Sequence, residues 1–68
     1  MKNTFEIGSK LKKMRIAKGM TREELSAALG ASPSAIAMYE LGERIPRDEM
    51  KLKIANFFGE SIESIFFN

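Results

Sequence analysis

The chain has 68 residues, 44% of them hydrophobic and 29% charged, which suits one small folded domain over 1–68 and excludes a disordered tail or a second core. It has no cysteine and no histidine, so disulfides, thiolate metal sites and Cys/His catalysis are excluded, and a reducing cytoplasmic setting is expected. The net charge of +2 says little by itself, but Lys2, Lys10, Lys12, Lys13, Arg15, Lys18 and Arg22 gather in the first third against Glu6 alone, as on a surface for a polyanion or on a lysine-rich solvated face.

Glycines 19, 30, 42 and 59 each close a helical pattern and divide the chain into five predicted helices, with no alternating run to suggest a strand. No stretch approaches the ~18 apolar residues of a membrane span, and the start lacks the apolar segment of a signal peptide. The first helix, about 4–18, has Ile7, Leu11 and Met14 at i, i+4, i+7 as its buried stripe. Arg15 borders that stripe, where a desolvated guanidinium needs a carboxylate partner, and Ile16 falls on the surface side. Gly8 is out of place in a helix unless backbones pack closely there.

The second helix opens with a capping box, Thr21 as N-cap and Glu24 at N3, with Met20 and Leu25 placed for a hydrophobic staple. Leu25, Ala28 and Leu29 form its predicted inward face, and the small Ser26, Ala27 and Ala28 allow another helix close. The third helix, 32–41, has Ser32 as N-cap and Pro33 at N1. The fourth, 48–58, follows a loop containing Pro46 and carries Asp48 and Glu49 at the positive end of its dipole. The fifth is short, 61–67, with Ser61 as N-cap.

At roughly 100° per residue, anchoring Ile36 inward brings Tyr39 and Glu40 to the same side, puts Ser34 and Met38 opposite, and leaves Ala35 and Ala37 on the shoulders. Such a helix rises roughly 15 Å, comparable with the ~12 Å width of the B-DNA major groove, and its outer face carries no acidic residue. An ordinary amphipathic helix with a bland exterior has the same face. The capping-box helix, the glycine turn and the second capped helix together place two helices at a steep angle, with the second protruding.

On Leu11, Met14, Arg15, Gly19, Met20, Thr21, Glu24, Leu25, Ala28, Gly30, Ser32, Ile36, Tyr39, Glu40, Gly42, Arg44, Pro46, Ile54, Ala55 and Phe58, the chain resembles the Xre/Cro-like, or lambda-repressor-like, helix-turn-helix family of phage and bacterial repressors. The pattern covers roughly residues 7–66. The resemblance implies an all-α, compact five-helix domain whose helices 2 and 3 form the helix-turn-helix. It implies a small repressor that binds double-stranded operator DNA as a homodimer, helix 32–41 in the major groove, with no membrane, cofactor or small-molecule ligand.

Carried over by position, the resemblance makes Arg15 and Glu40 a buried structural ion pair and sets Thr21 and Arg22 against the sugar-phosphate backbone. It puts Ser32, Pro33, Ser34, Ala37 and Met38 near bases, and Gly42, Glu43 and Arg44 in a loop whose amides approach phosphate. Arg22 stands where the family often has glutamine. The outer face of helix 32–41 also lacks the Gln, Asn, Arg or Lys that reads guanine or adenine by paired hydrogen bonds. The expectation is therefore that Met38, Ala37 and Pro33 meet thymine methyls, Ser34 and Ser32 bond a base edge or phosphate, and DNA shape supplies much of the selectivity.

Four of the five phenylalanines lie in the last twelve residues. Ile54, Phe58, Ile62, Ile65 and Phe66 suffice for the core by period, which leaves Phe57 and Phe67 for a dimer interface, unless the fifth helix wraps and buries them. An enzyme is not expected, since nothing supplies a nucleophile, a phosphate loop or a carboxylate pair in a pocket. The competing function is a protein-binding module, antitoxin-like or antirepressor-like, whose 34/37/38 surface meets another protein.

Overall fold

Side-chain caps define most of the helix starts in the computed structural model, which describes residues 3–67; Lys2 lies outside that range. Helix α1 (Thr4–Ala17) begins after Asn3, whose side-chain oxygen accepts the Glu6 N–H at 2.8 Å, a cap the sequence reading did not single out. Helix α2 (Arg22–Leu29) has the full capping box: Thr21 Oγ1 accepts from Glu24 N at 3.0 Å, and Glu24 Oε1 accepts from Thr21 N at 2.8 Å. Helix α3 (Pro33–Glu40) starts from Ser32, whose Oγ accepts the Ala35 N–H at 3.0 Å. Helix α4 (Asp48–Phe58) has no side-chain cap and relies on Asp48 and Glu49 in its first turn. The last element, Glu63–Phe67, is a π-helical turn where an ordinary helix was expected; Ser61 Oγ still accepts from Ser64 N at 3.1 Å.

Ile7, Leu11 and Met14 of α1 meet Leu25 and Leu29 of α2, Ile36 and Tyr39 of α3, Ile54 and Ala55 of α4, and Ile65 and Phe66 of the π-turn in one core. Each fully buried Leu, Ile or Phe stabilises the fold by about 1.5–3 kcal/mol over its exposed state. Phe58 and Ile62, expected inside, are only half-buried against this cluster, as is Phe57. Lys10 Nζ and Ser64 Oγ both meet Glu60 Oε1, at 3.3 and 2.8 Å, tying α1 to the C-terminal segment.

Two packing details depend on small residues. In α2 the inward position beside the two leucines is Ser26, not Ala28, which is exposed. At 100° per residue these two lie symmetrically about the Leu25–Leu29 line, so periodicity does not separate them. The Ser26 hydroxyl donates to Glu23 O at 2.8 Å, which removes the usual penalty for burying it. At Gly8 of α1, a Cβ would lie 2.5 Å from the carbonyl oxygen of Glu40 and against that of Tyr39. Glycine there lets α1 cross the C-terminal end of α3 backbone to backbone, the close packing its position in the sequence implied.

Candidate nucleic-acid interface

The turn between α2 and α3 takes three residues. Gly30 adopts the left-handed conformation (φ 70°), Ala31 N donates to Ser26 O at 3.0 Å, and Ser32 then caps α3. The ammonium of Lys53, from α4, lies near Gly30 at the C-terminal end of α2, where a cation complements the helix dipole. Ile36 is fully buried and Tyr39 and Glu40 are 6% exposed, so α3 is fastened along one side. Pro33, Ser34 and Met38 are exposed on the other, between half-buried Ala35 and Ala37. Leu41, 60% exposed just past the end of α3, extends this apolar surface; the sequence reading did not pick it out.

Glu40 binds the two helices of the motif to α1. Arg15 Nε donates to Glu40 Oε2 at 2.6 Å and Arg15 Nη2 to Oε1 at 3.1 Å, while Arg15 Nη1 donates to Met20 O at 2.8 Å. The Glu40 side chain is 1% exposed. Burial pushes its pKa up, but the hydrogen bonds and charges of Arg15 and Arg22 outweigh burial and hold it below the usual carboxylate range. The hydrogen bond to Glu40 raises the already high pKa of Arg15 against the opposing effect of burial. Removing one member of such a pair costs about 3–5 kcal/mol, because the other is left charged and buried.

Arg22 also reaches this carboxylate, donating from Nε to Glu40 Oε1 at 3.0 Å with its own side chain 38% exposed. No local pattern announced this third partner. Thr21 is exposed beside it, with Oγ1 committed to the capping box. Ser32 Oγ is likewise the cap of α3, which leaves its O–H free to donate. Beyond α3, Gly42 N donates to Tyr39 O at 3.2 Å and Glu43 N to Met38 O at 2.9 Å. Those two amides are spent within the protein, which corrects their expected approach to phosphate. Gly42 is fixed twice over, by φ 77° and by the Phe5 backbone, 3.1 Å from where its Cβ would be. Arg44 is exposed in the same loop.

Much of the basic N-terminal third is engaged as well. Lys10 pairs with Glu60, Arg15 and Arg22 share Glu40, and Lys18 Nζ lies 5.0 Å from the Phe57 ring centroid. Lys12 and Lys13 are exposed. Phe57 is half-buried, edge-on to Phe58 at 5.1 Å between centroids, whereas Phe67 is 43% exposed, with Lys51 Nζ at 5.4 Å from its ring. Leu52 of α4, 52% exposed, is a further surface apolar residue that the sequence reading passed over. No helix among the described residues is long and apolar enough to cross a membrane.

A capped helix, a left-handed glycine turn and a second helix fastened along one side are the parts of a helix-turn-helix, and the helix-turn-helix family model matches residues 11–65. The chain belongs to this family, in its Xre/Cro-like branch of DNA-binding transcriptional regulators. Among its relatives is an HTH-type transcriptional regulator of Methanocaldococcus jannaschii, 41% identical over 58 residues that cover 85% of this chain and 88% of the relative. Human endothelial differentiation-related factor 1 is 34% identical over 56 residues, 82% of this chain but only 38% of that longer protein. The fold is similar to that of the restriction-modification controller protein C.AhdI from Aeromonas hydrophila, with TM-score 0.84 and 27% identity over 93% of this chain and 96% of that one. It is also similar to the clp gene regulator ClgR from Corynebacterium glutamicum, with TM-score 0.79 and 26% identity over 91% and 80% of the two chains.

Proposed function

We propose that the protein is a small cytoplasmic repressor that binds a two-fold operator as a homodimer, with α3 in the major groove. The observation that carries this reading is the disposition of α3: Ile36, Tyr39 and Glu40 are buried while Ser34 and Met38 face out from the same eight-residue helix. Exposed Arg44 and partly exposed Arg22, with exposed Thr21 next to Arg22 in the chain, supply phosphate contacts. Met38, Ala37 and Pro33 meet thymine methyls, and Ser34 and Ser32 donate to a base edge or a phosphate. Exposed Phe67 and Leu52, with half-buried Phe57, support pairing of two copies, which sets two recognition helices roughly 34 Å apart on DNA.

Selection of binding sites from random duplexes tests this. A two-fold motif rich in A·T steps, weakened by Met38→Ala more than by Ser34→Ala, is the expected result. Guanine preferences that vanish with Ser34→Ala and ignore Met38→Ala contradict the base contacts, and a monomer at high micromolar concentration contradicts the dimer. The exposed Met38 and Leu41 favour one second reading, a protein-binding module using the same face. Salt separates the two, because affinity for DNA falls log-linearly with salt as counterions are released and apolar docking does not weaken in this way.

A further inference from the structure

Arg15 alone satisfies Glu40 with a two-pronged bond, yet the same carboxylate also takes Arg22. The triad of Arg15, Arg22 and Glu40 keeps one net positive charge, so Arg22 is anchored without being neutralised. Among the described residues Arg22 donates through Nε only, leaving the four N–H groups of its terminal nitrogens for another acceptor. The anchor is stiff: Glu40 is held by Arg15, and Arg15 by the Met20 carbonyl. A guanidinium is planar, so fixing Nε fixes the direction of its outer edge, which a lysine at the same place lacks.

We propose that Glu40 is a positioning residue for DNA: it holds Arg22 by Nε so that the terminal nitrogens grip a backbone phosphate, and this bond persists in the complex. The proposal rests on the DNA-binding reading above and adds to it how one contact is made. The opposite use of the same geometry is competition, in which phosphate draws Arg22 away from the carboxylate. Two features favour anchoring. Nε and the terminal nitrogens offer separate N–H groups, so carboxylate and phosphate are held at once, and Glu40 already has Arg15 as its main counter-charge.

The test uses the full chain and a short random-sequence duplex, with affinity measured against salt and the arginine Nε–H resonances followed by NMR. The Arg22 Nε–H is expected to keep its position and its protection from exchange when DNA saturates the protein, as the Arg15 Nε–H does. Arg22→Lys leaves the Arg15–Glu40 pair intact and keeps the charge, so affinity falls about tenfold with the salt slope unchanged. Arg22→Gln removes the charge and lowers that slope by about 0.9. An Arg22 Nε–H that moves to a solvent-exchanging position on binding overturns the proposal, as does an Arg22→Lys variant that binds as tightly as the wild type or more so. Wild-type protein showing no salt-dependent binding to any duplex overturns the DNA-binding reading itself, a failure separate from either of those.

Discussion

Replacing Gly8 with alanine tests whether backbone contact sets the crossing of α1 over α3. The new Cβ would lie 2.5 Å from the Glu40 carbonyl oxygen and 2.8 Å from its carbon, where ordinary van der Waals contact begins near 3.4 Å. The helices must therefore part by about 1 Å in an interior packed as densely as an organic crystal. No side-chain rotamer absorbs this, because the neighbours are main-chain atoms. Alanine is favoured over glycine in a helix by about 0.8–1 kcal/mol, so at an open position the change would stabilise. Overpacking costs about 1–3 kcal/mol, and rigid backbone neighbours place Gly8 at the upper end, for a net loss of about 2 kcal/mol. In a domain of this size that lowers Tm by roughly 8–16 °C. Thermal unfolding of the two proteins, followed by circular dichroism, measures it. An unchanged or raised Tm refutes the argument.

Two further predictions concern the Glu40 cluster. Arg15→Ala removes a two-pronged bond but leaves the buried carboxylate with Arg22, so it costs about 2–3 kcal/mol, short of the about 3–5 kcal/mol of a fully unpaired buried charge, as urea titration should measure; a loss below about 1 kcal/mol contradicts the assigned role. For pH the sign follows from the direction of the shift. The folded-state pKa of Glu40 is lowered, so the cluster's contribution is complete above the unfolded carboxylate value of about 4.3 and is lost as pH falls through the lower folded value. Urea midpoints between pH 3 and pH 6 should decline on the acid side, and Glu40→Gln should flatten that decline; an equally steep fall in the variant refutes the assignment.

The features legible in the sequence were those with a local chemical signature. Thr21 with Glu24, Ser32 with Pro33, and the closing glycines mark helix ends by hydrogen-bonding and φ requirements that act within a few residues. With Ile36 taken as the inward anchor, Tyr39 and Glu40 followed by period. What depended on tertiary geometry was less visible. Ser26 and Ala28 are equivalent by period, and hydrophobicity points to the wrong one because the Glu23 carbonyl makes the serine inexpensive to bury. The tie from Arg22 to Glu40 spans eighteen positions and has no spacing rule behind it. The spent amides of Gly42 and Glu43 depend on how α3 ends, and the π-helical register at Glu63–Phe67 on how the last residues close over the core. Gly8 announced an anomaly in the sequence, but only the crossing of α1 over α3 shows which atoms require it.

The placement of α3 in a DNA groove is tested most directly by Met38→Glu. Met38 is 37% exposed on the outward face, so the change should lower the unfolding free energy from urea titration by no more than about 1 kcal/mol. A carboxylate there would stand between two rows of phosphates, and affinity for duplex DNA at fixed salt should fall about 100-fold. A folded Met38→Glu variant that binds duplex DNA as tightly as the wild type would contradict the account.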